Sequence, residues 1–365
     1  MKNEKNIYIL IQFSGEPSGA EKRFINIWKK FNSKNNKSIF LMTHKKTLDY
    51  FSFSSIEKEN ILLFDTKKTN YISQYIAVFK LLNKIEKKSV IHFVNTYYPF
   101  LSLFSRSSFV ISWLQPFNPI SLKNLKLYHM ILFFIGFIFS KYIDVLNPKN
   151  YKNFKKFFFF KRILNTPTSN NIDKKLFIPD TKDNSLVFLG RFEMDKGIDK
   201  LIEIIPYLEN KLNNQNKIDV VNIFIIGKGK EQEKINELIN QKYKSLKITN
   251  LYSNKPHIFL NKAKVFLSLQ KSSNYPSRSL VEAMYSGCLP IITDTGDSKL
   301  VGDDKKLFFV EKNIKPDDLS DLIIKIFNLN REDYKELSEK IRDDAISKFD
   351  NDNQFEYFSN IYLKN

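Results

Sequence analysis

LQKSSNYPSRSLVEAMYSGCLPIITDTGDSKLV, residues 269–301, decides how the rest of the chain is read. Pro276, Ser277, Arg278 and Ser279 lead directly into a helix predicted over Ser279–Ser286. The first amides of a helix have no partner within it, and its dipole is positive there, so this end is an anion site. Glu282 lies about one turn further in, where its carboxylate can accept hydrogen bonds from ribose hydroxyls, as acids do in other nucleotide sites. Gly287 ends the helix, Leu289–Thr293 reads as a buried strand, and TDTGD makes a glycine loop at the strand's carboxyl end. The plainer alternative makes Ser277 an ordinary N-cap and Glu282 a solvated charge.

Two upstream segments have the same strand–loop–helix form. In LVFLGRFEMDKGIDKLIEII, residues 186–205, Arg191 and Lys196 sit beyond the carboxyl end of a strand. Ligands of open α/β sheets bind at that end. A planar fork and a point charge suit a diphosphate there; solvated loop charges are the alternative. In NIFIIGKGKEQEKINELI, residues 222–239, a strand runs into a Gly-x-Gly turn and a helix. It has no third glycine of a dinucleotide fingerprint and is no Walker loop. Its glycines are read as making the turn possible.

The first half repeats the alternation. Strands are predicted at Ile7–Gln12, Ser38–Met42, Ile61–Phe64, Val90–Val94 and Phe109–Trp113, with helices at Ala20–Phe31 and Ile72–Ile85. Leu125–Tyr142 is apolar nearly all round. Next, YKNFKKFFFFKRIL, residues 151–164, interleaves five bases with aromatics. These two stretches read either as a buried helix with a basic connecting helix, or as a membrane contact through Lys155, Lys156, Phe157, Phe158, Lys161 and Arg162. An aperiodic linker, Asn165–Asn184, precedes the second half. Strands alternating with helices predict an α/β fold: two Rossmann-like, doubly wound parallel-sheet domains. The expected domains are residues 1–165 and 166–345, with 346–365 a helix packing back on the first.

The 365 residues are 42% apolar and 27% charged, ordinary globular usage that excludes whole-chain disorder, collagen or coiled coil. One cysteine, Cys288, excludes a disulfide scaffold, and four scattered histidines argue against a His-rich metal centre. No stretch is long and apolar enough for a span. The net charge of +19 is uneven: residues 1–180 hold 29 Lys/Arg and 11 Asp/Glu, residues 181–365 hold 29 and 28. That field favours an anionic partner: a membrane surface, an acidic substrate or nucleic acid.

The ordered set GRFEMDKG, IIGKGKE and NYPSRSLVEAMYSGCLPIITDTGD resembles glycosyltransferase family 4, of the GT-B fold. The likeness is clear over about residues 185–302 and looser in the first half, through GEPSGAE and the linker. It implies a retaining, hexosyltransferase-type transfer from a nucleotide diphosphate sugar, in a central cleft between the two domains. By resemblance Arg191 and Lys196 neutralise the donor diphosphate, Ser277, Arg278, Ser279 and Leu280 form the helix end near the phosphate, Glu282 binds the ribose, and Gly19 lets backbone approach the donor. No cofactor and no metal are expected. Where the family has a further Glu, eight positions before Glu282, this chain has Asn274, which hydrogen-bonds without charge. Where many members place a sugar-contacting His, the sequence reads SWLQPF, with Gln115 as substitute. His92, in VIHFVN, is kept as an acceptor-side candidate, a buried core histidine being the alternative.

The expected function is sugar transfer to a glycan or lipid-linked acceptor in capsule, O-antigen or lipopolysaccharide synthesis. The expected place is cytoplasmic, peripheral on the inner face of an anionic membrane. Two alternatives are a GT-B sugar or membrane binder that has lost its chemistry and a basic nucleic-acid binder. The second lacks any recognition helix, aromatic RNP pattern or zinc module, so no nucleic acid is expected. Oligomeric state is not legible.

Overall fold

The computed structural model describes residues 5–12, 19–34, 38–66, 71–94, 100–101, 107–114, 127–167, 172–214, 220–303 and 306–363. The chain divides into two compact units, Met1–Asn171 together with Asn351–Asn365, and Ile172–Asp350. The first boundary lies past residue 165 because Thr166 still donates its amide to the Val145 carbonyl, whereas Ile172 packs in the second unit's core. The second lies past residue 345 because the helix there continues to Lys348.

In the first unit, β1 (Ile7–Ile11), β2 (Ile39–His44), β3 (Ile61–Phe64), β4 (Val90–Val94), β5 (Ser108–Trp113), β6 (Tyr142–Val145) and β7 (Ile163–Asn165) form a parallel sheet ordered β3-β2-β1-β4-β5-β6-β7. Side chains alternate across a strand, so Ile7, Ile9 and Ile11 face one core and Tyr8 and Leu10 the other. Helices α1 (Gly19–Ser33) and α12 (Asn351–Leu363) supply the first core; α3 (Tyr71–Leu82), α4 (Leu127–Phe139) and α5 (Pro148–Phe157) supply the second. Helix α2 (Ser55–Glu59) is a short turn closed by a Ser54–Glu57 capping box. A sheet covered on both faces calls for strands buried along their length, as β1 and β4 are, with His92 the one polar residue of β4.

The second unit holds β8 (Asp183–Leu189), β9 (Val221–Ile226), β10 (Leu246–Leu251), β11 (Ala263–Ser268), β12 (Leu289–Thr293) and β13 (Phe308–Val310), all parallel, ordered β10-β9-β8-β11-β12-β13. Its helices are α6 (Ile198–Asn213), α7 (Gln232–Ile239), α8 (His257–Leu260), α9 (Arg278–Tyr285), α10 (Pro316–Phe327) and α11 (Arg331–Lys348), around a single core. Both sheets are doubly wound, as expected.

Three strands differ from the sequence expectation. The apolar helix stops at Phe139, where the Ser140 hydroxyl caps onto the Phe137 carbonyl, and β6 begins three residues later. The basic stretch is not one helix. Asn147 caps α5 ahead of Pro148, the helix ends at Phe157, and β7 follows. β13 falls in a stretch to which the sequence reading assigned no element. Short apolar strands of three or four residues beside apolar helices carry too little periodicity to separate the two.

Polar groups cross the first unit's core. Asp144 on β6 is fully buried and accepts hydrogen bonds from the Ser112 hydroxyl (2.7 Å) and from the Tyr357 hydroxyl of α12. With its hydroxyl hydrogen donated to the carboxylate, Ser112 accepts from His92 Nε2 (2.7 Å), which leaves His92 Nδ1 to accept from the Tyr362 hydroxyl. His92 also sits edge-on to Phe24, 5.0 Å between centroids. Burial raises the Asp144 pKa, opposed by its hydrogen bonds and by the charge of Arg23. Burial pushes the His92 pKa down to about 3 from an ordinary 6.5.

The unfolded chain therefore takes up a proton at His92 below pH 6.5, whereas the folded chain does not until about pH 3. Stability contributed by the neutral ring is full above pH 6.5 and is lost as pH falls through that window. The stability advantage of the wild-type chain over His92→Gln shrinks by about 1.4 kcal/mol per pH unit on acidification. Denaturant titrations at neutral pH and near pH 5 read it; a gap independent of pH means the buried ring is not neutral.

Candidate functional site

In the second unit the sheet reverses its winding between β8 and β11, and loops leaving adjacent strands there part to opposite sides. Arg191 and Lys196 follow β8, the segment 269–277 follows β11, and TDTGD follows β12. The structure brings these three loops together at the strands' carboxyl ends.

Backbone contacts fix the loops to one another. The Gly190 amide donates to the Ile226 carbonyl (3.0 Å), Phe192 to Lys228 (3.1 Å) and Glu231 to Phe192 (3.0 Å), joining the loops after β8 and β9. The Lys271 amide donates to the Asp195 carbonyl (2.9 Å), joining the loops after β8 and β11. Lys271 also pairs with Asp199 at 2.5 Å. Two glycines permit this closeness. A Cβ on Gly197 (φ +77°) would lie 2.0 Å from the Leu269 carbonyl oxygen, and one on Gly227 would lie 1.9 Å from the Gly190 oxygen. The glycines of GKGK are thus required by close backbone approach and the turn itself, as read from the sequence.

Arg191 is exposed and pairs with Glu193 at 2.9 Å; Lys196 is half-buried, 3.5 Å from Asp195. Ser277 is the N-cap of α9, but its hydroxyl makes no capping bond. It accepts instead from Gln270 Nε2 (3.1 Å), with Ser279 Oγ 3.3 Å away. The Ser277 side chain therefore does not cap the first turn that Arg278, Ser279 and Leu280 begin. Arg278 Nε donates to Glu282 Oε1 at 2.8 Å, which holds the nearly buried carboxylate in place. Gly287, left-handed at φ +70°, ends α9; its carbonyl accepts from Ser338 (2.7 Å) and Tyr334 (3.0 Å) of α11.

A small hollow lies among these loops, lined by Gln270, Asn274, Ser277, Thr293, Thr295 and Ser298 with their neighbours. Gln270 Oε1 and Thr293 Oγ1 are buried and have no hydrogen-bond partner among the described residues. Buried polar atoms are nearly always bonded, so these two mark where a polar ligand group fits. Neither was singled out from the sequence, although both lie at or just past the carboxyl end of a strand, the one available signal. The Ser273 hydroxyl donates to Asp297 Oδ2 (2.9 Å), tying the motif segment to TDTGD. Within that loop Asp294 accepts the Gly296 amide (2.8 Å). That bond and Lys299 hold its pKa below the ordinary carboxylate value.

The remaining candidates are elsewhere. Gly19 opens α1 in the first unit, and a Cβ there would meet nothing within 4 Å. Gln115 lies outside the described residues. His92 is fully buried in the hydrogen-bonded core, which removes it from the acceptor-side candidates. Of the membrane set, Lys155, Lys156, Phe157 and Arg162 are exposed, and Lys161 is half-buried, donating to the Ser140 carbonyl (3.0 Å). Phe158 is a correction: it is fully buried among Phe134, Phe137 and Phe154, so it touches no membrane.

Residues 169–344 match the family model described as glycosyl transferases group 1. No curated protein matches the chain. Among solved structures, Anabaena HepE in complex with UDP and glucose is similar at TM-score 0.71 and 14% identity, over 99% of this chain and 100% of that one. The pneumococcal O-GlcNAc transferase GtfA in complex with UDP and GlcNAc is similar at TM-score 0.72 and 11% identity, over 99% of each chain. A mutant of S. aureus TarM in complex with Fondaparinux, alpha-GlcNAc-glycerol and UDP is similar at TM-score 0.70 and 14% identity, over 98% and 99%. The fold is GT-B, with two Rossmann-like domains.

Gly197→Ala places a methyl group on the Leu269 carbonyl and strains a left-handed residue. It is expected to cost more than about 1 kcal/mol. Gly190→Ala, whose Cβ meets nothing within 4 Å, is expected to stay within about 0.5 kcal/mol. Thermal unfolding of the two variants checks the contrast; equal losses would mean the loops are not held by this close approach.

Proposed function

We propose that this chain, a glycosyltransferase, is a family 4 member that moves a sugar from a nucleoside diphosphate sugar to a glycan or lipid-linked acceptor with retention of configuration. Its place would be cell-surface polysaccharide synthesis, on the cytoplasmic side of the membrane. One observation carries the reading: within a single unit the loop that holds Arg191 and Lys196 is bonded to the loop after β11, which leads into α9 and Glu282, and a hollow lined by Gln270, Asn274, Ser277 and Thr293 lies at the carboxyl ends of β11 and β12. The UDP complexes of HepE, TarM and GtfA support a uridine nucleotide as the first donor class to test.

The chemistry follows from the residues. Breaking the bond between the anomeric carbon and the diphosphate leaves negative charge on a phosphate oxygen. Arg191 presents a planar donor fork to that charge, and Lys196 a compact cation. The first amides of α9 add fixed dipoles that need no reorganisation during reaction. Glu282, held by Arg278, accepts from the ribose hydroxyls. Gln270 and Thr293 offer their unpaired atoms to the sugar or its phosphate. Asn274 hydrogen-bonds sugar hydroxyls without bringing charge. The acceptor falls to the first unit, whose excess of Lys and Arg suits an acidic or lipid-linked molecule. Bases and helix amides carry the neutralisation, so the reading assigns no step to a metal.

Thermal stabilisation by nucleoside diphosphates and nucleotide sugars comes first, because a ligand of the folded state raises the melting temperature. One nucleotide class is expected to stabilise the wild-type chain and to lose that effect in Glu282→Ala. Arg191→Ala and Lys196→Ala are each expected to lower kcat about 100- to 1,000-fold, and chelation by EDTA to leave turnover unchanged. Intact turnover in both variants would overturn the donor assignment. Tight donor binding without transfer to any acceptor would identify a sugar-binding protein that keeps the fold alone.

A further inference from the structure

The first unit carries an apolar and basic surface that belongs to none of the donor-side loops described above. Helix α4 and Ser140 after it contain no charged residue over positions 127–140. One face of this helix puts Phe133 and Phe137 into the core, whereas Leu127, Ile131 and Phe134 are exposed at spacings of four and three. Phe134 touches Phe157 at the end of α5, 5.7 Å between centroids, and the aromatic surface continues along the turn that follows. There Phe159 is 82% exposed and Phe160 58%, their rings 5.6 Å apart. Exposed aromatics on adjoining elements are not the scattered apolar residues normal on a surface.

The charge around them has one sign. Residues 87–172 contain twelve Lys or Arg and one acid. That acid is Asp144, buried in the core. Lys149, Lys152, Lys155 and Lys156 are exposed along α5, and Arg162 is exposed just past the aromatic turn. No ionised carboxylate of this segment reaches the surface to balance them.

We propose that this face docks on an anionic lipid bilayer, with Phe159, Phe160 and the exposed side of α4 at the boundary between headgroups and acyl chains, and the α5 lysines on lipid phosphates. Charge complementarity selects the occupant. Basic residues near an anionic leaflet are attracted to it, and apolar area buried at the interface adds to this. Neither alone anchors a chain, but the two adjoin here. Single-stranded RNA would meet the lysines and could stack on the phenylalanines, yet it leaves the aliphatic Leu127 and Ile131 in water. Among the described residues no helix is long and apolar enough to cross a membrane, so the contact lies on the surface.

The test is co-sedimentation of the full chain with vesicles of phosphatidylcholine alone, or of phosphatidylcholine mixed with phosphatidylglycerol. It contains no donor and no acceptor, so its outcome is independent of the donor assignment. The chain is expected to pellet with the anionic vesicles only, and less at high salt. Phe159→Ser with Phe160→Ser, and separately Lys155→Glu with Lys156→Glu, are each expected to weaken binding about tenfold. All four side chains are exposed, and unchanged melting temperatures will show that the variants fold. A chain that stays in the supernatant, pellets equally with both vesicles, or binds as strongly in either variant overturns the proposal. Indifference to vesicles with a mobility shift of single-stranded RNA reassigns the face to nucleic acid.

Discussion

Asp144 is a fully buried carboxylate, and α12 packs where it can bond to it. A buried acid is tolerated only when its oxygens are bonded. Here one donor, Ser112, comes from the neighbouring strand and the other, Tyr357, from a helix more than two hundred residues later in sequence. Tyr362 of the same helix completes the chain of bonds at His92, and Phe355 and Phe358 fill the apolar core beside it. Residues 351–363 are therefore part of the first unit's core. The second unit is inserted, in chain order, between β7 and this helix. Lys174, just after the chain enters the second unit, pairs with Asp350, just before it leaves, at 2.8 Å. The two crossings are thereby held side by side on that unit.

The second unit answers a different demand. A site that neutralises a diphosphate works by placing charge before the reaction begins, and flexible loops would have to be ordered at each turnover. Here the loops after β8, β9 and β11 are bonded to one another through main-chain atoms. Gly197, Gly227 and Gly229 remove the Cβ atoms that would hold them apart. The bases thus sit on a framework whose rigidity does not depend on their own side-chain contacts. This is why Arg191 can be well exposed yet well placed at its root.

Much of this was legible in the sequence, and the limits are physical. The alternation of apolar strands and amphipathic helices pointed to both doubly wound sheets, and the ordered motifs lie on loops that meet at one end of the second sheet. β6 and β7 were missed because Tyr142–Val145 and Ile163–Asn165 are short and adjoin apolar helical sequence, where periodicity does not separate strand from helix. Phe158 was placed with its exposed neighbours because a run of four phenylalanines has no period at all. Only the packing of Phe154, Phe137 and Phe134 around it shows which ring turns inward. Gln270 was passed over because its meaning is an unpaired atom, and a sequence does not show pairing. The return of α12 was expected, but not its cause, which joins Asp144 and Tyr357 across 213 positions.

Asn274 bears on how transfer would be achieved. A carboxylate at that position would set negative charge beside a carbon that becomes cationic as the leaving group departs; an amide does not. The acids of the adjoining loop are already engaged. Asp294 holds the Gly296 amide and pairs with Lys299 at 3.2 Å, and Asp297 accepts from Ser273. In the proposed transfer, the negative charge facing the developing cation would then be that of the departing diphosphate itself. Such an arrangement asks more of Arg191 and Lys196 than neutralisation. In the proposed reaction they would also hold the diphosphate beside the anomeric carbon. A loop framework fixed by main-chain bonds meets that demand better than longer side chains reaching across a gap.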